Sequence, residues 1–200
     1  MIYNNYQQYF QDQMTTFESF ESDLYADAIK KTIDYVFANE VLYEGKDKIL
    51  DFCCGDGCTS GYLKDVGYWV KAFDGNKKKI DLARKNHPDI FFRVLEVRES
   101  LNAYAYQQFD YIYASHCFEH FLDPMAILEG CKKLIKPTGM IVVIIPYPNS
   151  ECEGHPGSNK LKLNESIESV YTNLEDLFKV QSIELKNFRE PELIIKLTIK

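Results

Sequence analysis

Apolar and polar positions alternate in blocks along this chain of 200 residues. Near its start Ile29, Ile33, Val36, Phe37 and Val41 recur at helical spacing, after a more irregular stretch rich in Tyr, Phe and Gln. Short apolar runs and helical patterns then follow one another. They predict strands over 48–53, 68–73, 90–95 and 110–115, with helices over 57–66 and 77–86 between the first three strands. Asp123-Pro124 reads as a helix start, an Asp N-cap with Pro at the first helical position. Met125, Leu128, Leu134 and Ile135 supply the buried face of that helix, and Lys136-Pro137-Thr138-Gly139 ends it. A continuous apolar strand over 140–145 follows.

After Pro146 the texture turns polar. Residues from about 147 to 165 form a stretch too long for an ordinary connection, which reads as a lid or binding loop. A helix over 166–178 and two strands, 180–185 and 193–199, close the chain, the strands suited to pair as a hairpin. Apolar strands alternating with helices mean a parallel sheet covered on both faces. The expected fold is α/β: a three-layer α/β/α sandwich around a seven-stranded, mostly parallel Rossmann-like sheet with a C-terminal β-hairpin. Residues 1–45 are expected to form a helical arm packed on the core domain of residues 46–200.

Composition narrows the classes. A hydrophobic fraction of 46% and a mean hydropathy of −0.31 fit a soluble globular chain. The longest apolar run, over 140–146, falls far short of the roughly 18 residues a spanning helix needs. No basic-then-apolar leader opens the chain, so the cytoplasm is the expected compartment. A net charge of −7 argues against a nucleic-acid partner, and Lys77–Lys79 and Lys132, Lys133 and Lys136 read as solvated helix faces. The six cysteines show neither zinc-ribbon spacing nor the setting of a disulfide framework, and read as small buried hydrophobes.

Chemistry concentrates in Ile49-Leu50-Asp51-Phe52-Cys53-Cys54-Gly55-Asp56-Gly57, which follows a strand and precedes a helix. Ligands on open α/β sheets bind at the carboxyl ends of strands, and glycines there let the backbone approach closely. Asp74 ends the next strand, where a carboxylate can accept both hydroxyls of a ribose diol. A nicotinamide dehydrogenase shares this logic, but it predicts G-x-G-x-x-G, a spacing absent from Cys53–Ser60.

Five motifs in order, over residues 49–146, resemble the class I S-adenosylmethionine-dependent methyltransferases, in particular their small-molecule group. They are DFCCGDG, Asp74, Phe92–Val97, Phe109–Ser115 with Phe118–Pro124, and Leu134–Gly139. The resemblance implies a methyltransferase domain with S-adenosylmethionine as cofactor. Gly55 and Gly57 would then line its methionine portion, Asp51 would lie under the turn near its amino group, and Asp74 would hold the ribose. Glu96 and Val97 would border the adenine, and Ser115 would complete the cofactor pocket at the end of the fourth strand. Cys53 stands where the family usually has its first glycine, so the turn must accept a small side chain there.

On the acceptor side, methyl transfer to a hydroxyl requires removal of its proton by a base or a metal. His116, Glu119 and His120 have metal-ligand chemistry at helical i, i+3, i+4 spacing. The segment resembles the Glu-x-x-Glu-His of ubiquinone-biosynthesis O-methyltransferases, with His116 in place of the first Glu. A divalent metal on His116, Glu119 and His120, with His155 of the lid as a fourth ligand, is one expectation. The other is a metal-free site in which His120 or His155 acts as general base beside Glu119. Lys160 and Lys162 could contact an acceptor's phosphate or carboxylate, and Tyr6, Tyr9, Phe10 and Phe17 could cap the site. The expected reaction is methyl transfer to a small molecule, more at oxygen than nitrogen, with a sugar or nucleotide sugar as the acceptor. N-methylation of a small amine, methylation of a protein or nucleic acid, and a catalytically silent binding module are the alternatives.

Overall fold

The computed structural model describes residues 23–40, 43, 45–147, 166–188 and 191–200. Its elements in chain order are α1 (Asp23–Phe37), β1 (Lys48–Phe52), α2 (Cys58–Asp65), β2 (Trp69–Asp74), α3 (Lys77–Asn86), β3 (Phe91–Val94) and α4 (Val97–Ala103). There follow β4 (Phe109–Ser115), a 3-10 turn (Phe118–His120), α5 (Pro124–Cys131), β5 (Ile135–Pro146), α6 (Ile167–Glu175), β6 (Phe178–Asn187) and β7 (Pro191–Ile199). The strands make one seven-stranded sheet in the order β3-β2-β1-β4-β5-β7-β6. Only β7 runs antiparallel to its neighbours, inserted between β5 and β6.

The layers follow from side-chain alternation. In β5, Ile141, Val143 and Ile145 enter one core while Val142 and Ile144 enter the other, because successive residues of a strand face opposite ways. Ile33 and Val36 of α1, Leu63 of α2 and Ile80 and Ala83 of α3 pack on the second face. Leu128 and Cys131 of α5 and Val170 and Leu174 of α6 pack on the first. The three-layer sandwich with its single antiparallel strand is therefore as the hydrophobic pattern requires. Asp123 caps α5, its side chain accepting from the Ala126 N–H.

Three elements differ from the sequence expectation. Helix α5 ends at Cys131, so Leu134 and Ile135 lie beyond it and Ile135 opens β5; both are buried there as apolar residues entering a central strand. Helix α4 has only seven residues, too few to show a periodicity; a reciprocal capping box between Glu96 and Glu99 starts it. Residues Lys136–Gly139 belong to β5 rather than to a loop, across a register shift against β4 between Phe109 and Tyr111. Among the described residues no helix is long and apolar enough to cross a membrane.

Candidate active site

Parallel strands bring β1 to β5 to a common edge at their carboxyl ends. From β1 the chain builds outward to β2 and β3, then returns to place β4 on the opposite side of β1. The reversal opens a crevice between the ends of β1 and β4, the usual ligand position on such sheets. Antiparallel β7 begins at this same edge, with Glu192 opposite Pro146.

The turn after β1 is built from left-handed residues: Cys53 at φ 61°, Gly55 at 56° and Gly57 at 85°. For a residue with a Cβ this conformation costs about 1–2 kcal/mol. Cys53 bears that cost, adopting a backbone conformation that favours glycine. Close by, the Cys117 thiol donates to the Phe52 carbonyl at 3.8 Å. The two glycines have different jobs. A Cβ on Gly55 would meet nothing within 4 Å, whereas one on Gly57 would lie 2.8 Å from the Ala83 Cβ and 3.0 Å from the Phe92 ring. Gly55 leaves the crevice open, and Gly57 lets α2 close onto α3 and β3.

Asp74 ties turn to crevice. Its carboxylate accepts the Gly55 N–H at 3.0 Å and the Asn76 N–H at 2.7 Å. Burial holds this carboxyl above the ordinary aspartate range, against the pull of those two N–H groups and of Lys79. Glu96 is exposed at the head of α4 and Val97 is its first helical residue; both stand just beyond β3, with the Leu95 N–H bonded to the Asp74 carbonyl. Ser115 ends β4, half-buried.

Asp51 lies beneath the turn, buried, and accepts the Ser60 hydroxyl of α2 at 2.5 Å. Desolvation pushes its carboxyl up to about 7, with the Ser60 hydrogen bond opposing and the charges of Asp74 and Asp56 adding. A carboxyl with a raised folded-state pKa stabilises the fold fully below its unfolded value, near pH 4, and loses that contribution as pH rises through the folded value. Compared with Asp51→Asn, whose amide oxygen can still accept from Ser60, the cofactor-free wild type should lose stability progressively between about pH 4 and pH 7. Urea unfolding of the pair across that window measures it, and parallel pH dependences would show that Asp51 is already ionised in the fold.

Beyond β4 the expected metal set does not assemble. Among the described residues no group of three or more His, Cys, Asp or Glu side chains is placed to hold a metal ion. The i, i+3, i+4 rule presumes a helix running from His116, but His116 has φ 51° and Cys117 φ −137°, and only Phe118–His120 form a 3-10 turn. The side chains therefore separate. Buried Glu119 lies 3.7 Å from His120 Nε2, while His116 Nε2 meets Glu192 Oε2 at 3.0 Å. Phe118, buried and stacked on Phe52 at 5.8 Å, anchors the turn in the core. Burial pushes the Cys54 and Cys117 thiols well above the ordinary cysteine value, so neither is a nucleophile at neutral pH. His155, Lys160 and Lys162 of the expected lid, and Tyr6, Tyr9, Phe10 and Phe17 of the expected cap, lie outside the described residues.

Glu192 is the residue that motif reading missed. Its signal was present: a carboxylate just before the apolar run Leu193-Ile194-Ile195, in a strand whose antiparallel direction brings its start to the ligand edge.

A profile of the methyltransferase domain matches residues 17–184. Curated relatives include the ubiquinone biosynthesis O-methyltransferase of Proteus mirabilis, 30% identical over 97 residues that cover 47% of this chain and 40% of that protein. The enzyme of the same name from Neisseria meningitidis serogroup A is 31% identical over 115 residues, covering 54% and 47%. The matched region thus spans less than half the length of these relatives. Among solved structures, a SAM-dependent methyltransferase of Aquifex aeolicus has a TM-score of 0.66 at 19% identity, covering 92% of this chain and all of that one. A TehB-like SAM-dependent methyltransferase of Corynebacterium glutamicum has a TM-score of 0.61 at 18% identity, covering 98% and 97%. At these identities the structural likeness is one of fold.

Proposed function

The chain belongs to the methyltransferase-domain family of class I, S-adenosylmethionine-dependent enzymes, and from that membership we propose that it transfers a methyl group to the hydroxyl of a small molecule. The observation that carries this reading is the open face of Gly55 beside the Asp74 carboxylate, a cradle that a Cβ on Gly55 would fill.

The residues present fit the cofactor. Each Asp74 oxygen accepts one backbone N–H and retains a lone pair for a ribose hydroxyl. Gly55 and Cys53 would lie along the methionine portion, with Gly57 supporting the turn from behind and Asp51 beneath it. Glu96 and Val97 would border the adenine, and Ser115 would close the pocket from β4. S-adenosylmethionine supplies an electrophilic methyl group on a sulfonium.

The protein's share in such a displacement is alignment, which can supply much of the rate, and removal of the hydroxyl proton. Of the described residues, His116 and His120 at the β4 exit are suited to take it. Oxygen as the acceptor atom is supported by the curated relatives, which are O-methyltransferases by name.

Calorimetry with S-adenosylhomocysteine, followed by labelled methyl transfer to phenols, sugars, nucleotide sugars and small amines, tests the reading. One binding site per chain and labelling of a hydroxyl are expected. Absence of binding would favour a silent module with this fold, and labelling of amines alone would replace oxygen by nitrogen.

A further inference from the structure

We propose that Glu192 is a positioning residue that makes His116 the proton acceptor of the reaction. The inference rests on methyl transfer to a hydroxyl, as above, and adds to it a residue and a geometry.

Four observations converge on the pair. His116 is the first residue beyond β4, on one flank of the crevice. Glu192 enters β7 at the same edge, opposite Pro146 of β5. The Glu192 side chain is only 4% exposed, in a strand of apolar residues, and a carboxylate buried there must be matched by a donor. That donor is His116 Nε2 at 3.0 Å, on a ring that is 25% exposed at the carboxyl-end edge of the sheet.

The backbone adds a fifth. Among the described residues only Cys53, Gln107 and His116 have positive φ without being glycine. Cys53 and His116 directly follow β1 and β4, the two strands that flank the crevice. Strained conformations persist where surrounding structure enforces them, and they gather at functional sites. The His116 N–H is held by the Ile144 carbonyl at 2.8 Å, so the ring is fixed from its backbone as well as from Nε2.

The chemistry follows from the tautomer. A carboxylate on Nε2 keeps the proton there, which leaves Nδ1 as the basic nitrogen. As the acceptor oxygen forms its bond to the methyl carbon, the electron pair of the carbon–sulfur bond passes to sulfur, leaving a neutral thioether. The hydroxyl proton passes to Nδ1 and later to water. Glu192 then faces an imidazolium and stabilises it. The Glu119 carboxylate stands 3.7 Å from His120 Nε2, beyond hydrogen-bond length.

A structural latch between β4 and β7 would produce the same contact, so the test needs readouts that a latch would not move. Long-range proton–nitrogen NMR on the full chain with 15N-histidine, with the signal assigned by its loss in His116→Asn, reports the tautomer directly. The wild type is expected to carry the proton on Nε2 alone, and Glu192→Ala to show a mixture. With whichever hydroxyl acceptor the labelling screen identifies, Glu192→Gln should lower kcat about tenfold or more, with KM and S-adenosylhomocysteine affinity unchanged. His116→Asn should lower kcat by about a hundredfold, within the range for loss of a general base. A wild-type His116 protonated on Nδ1, or full kcat in Glu192→Gln, would overturn the assignment. Failure of the wild type to bind S-adenosylhomocysteine would instead overturn the methyl-transfer reading beneath it.

Discussion

Gly57→Ala is expected to lower the stability of the protein by about 2–5 kcal/mol and to abolish measurable S-adenosylhomocysteine binding. Two costs add. At φ 85° any residue with a Cβ is strained, by about 1–2 kcal/mol. The new methyl would also meet the Ala83 Cβ at 2.8 Å and the Phe92 ring at 3.0 Å, where helix and strand cannot retreat without opening the core. Overpacking of that kind costs about 1–3 kcal/mol. Against a total of about 5–15 kcal/mol for an ordinary domain, the loss is large. Gly55→Ala provides the contrast, because its Cβ meets no protein atom within 4 Å. It should cost only the backbone strain, about 1–2 kcal/mol, while affinity falls because the methyl occupies the cradle. Urea midpoints and calorimetry on the two variants separate the roles. A Gly57→Ala protein with the wild-type midpoint would mean that α2 does not pack on α3 and β3 as described.

Asp74→Asn should weaken S-adenosylhomocysteine binding by about a hundredfold, a loss of about 3 kcal/mol. The carboxylate now accepts two backbone N–H groups and would accept the ribose hydroxyls as well. An asparagine has one acceptor oxygen, so its NH2 group would face either the Gly55 or the Asn76 N–H, donor against donor. Hydrogen bonds to a charged acceptor contribute about 1.5–3 kcal/mol each, which sets the scale. Calorimetry checks it, with the urea midpoint as a control for the turn itself. Binding within threefold of wild type would remove Asp74 from the cofactor site.

Much of this site was legible because parallel strands deliver their carboxyl ends to one edge. The strand ends beside which Gly55, Asp74 and Glu96 lie could be placed from the apolar runs, whereas the roles of Asp51 and Glu96 toward a cofactor came from the family resemblance. The layers were legible for the same reason: Val142 and Val143 must face opposite ways. Three features were not. The backbone of His116 turns left-handed, which no residue-type pattern signals, and that turn separates His116 from Glu119 and His120. Helix α4 is shorter than the window over which periodicity can be seen. Glu192 reaches His116 through an antiparallel insertion, a contact between residues 76 positions apart that belongs to the topology rather than to any local motif. Cys53 lies between these cases: its need to fit a glycine's place was readable, and its left-handed backbone was not.

The insertion of β7 between β5 and β6 divides the candidate site between two parts of the chain. The turn, Asp74 and Glu96 lie on β1, β2 and the segments that follow β1 to β3, while the Glu192 carboxylate that meets His116 arrives on β7. On the reading proposed above, cofactor binding and the orientation of the proton acceptor are thereby carried by separate segments. A variant with β7 displaced would keep the cofactor residues and lose the Glu192 contact to His116.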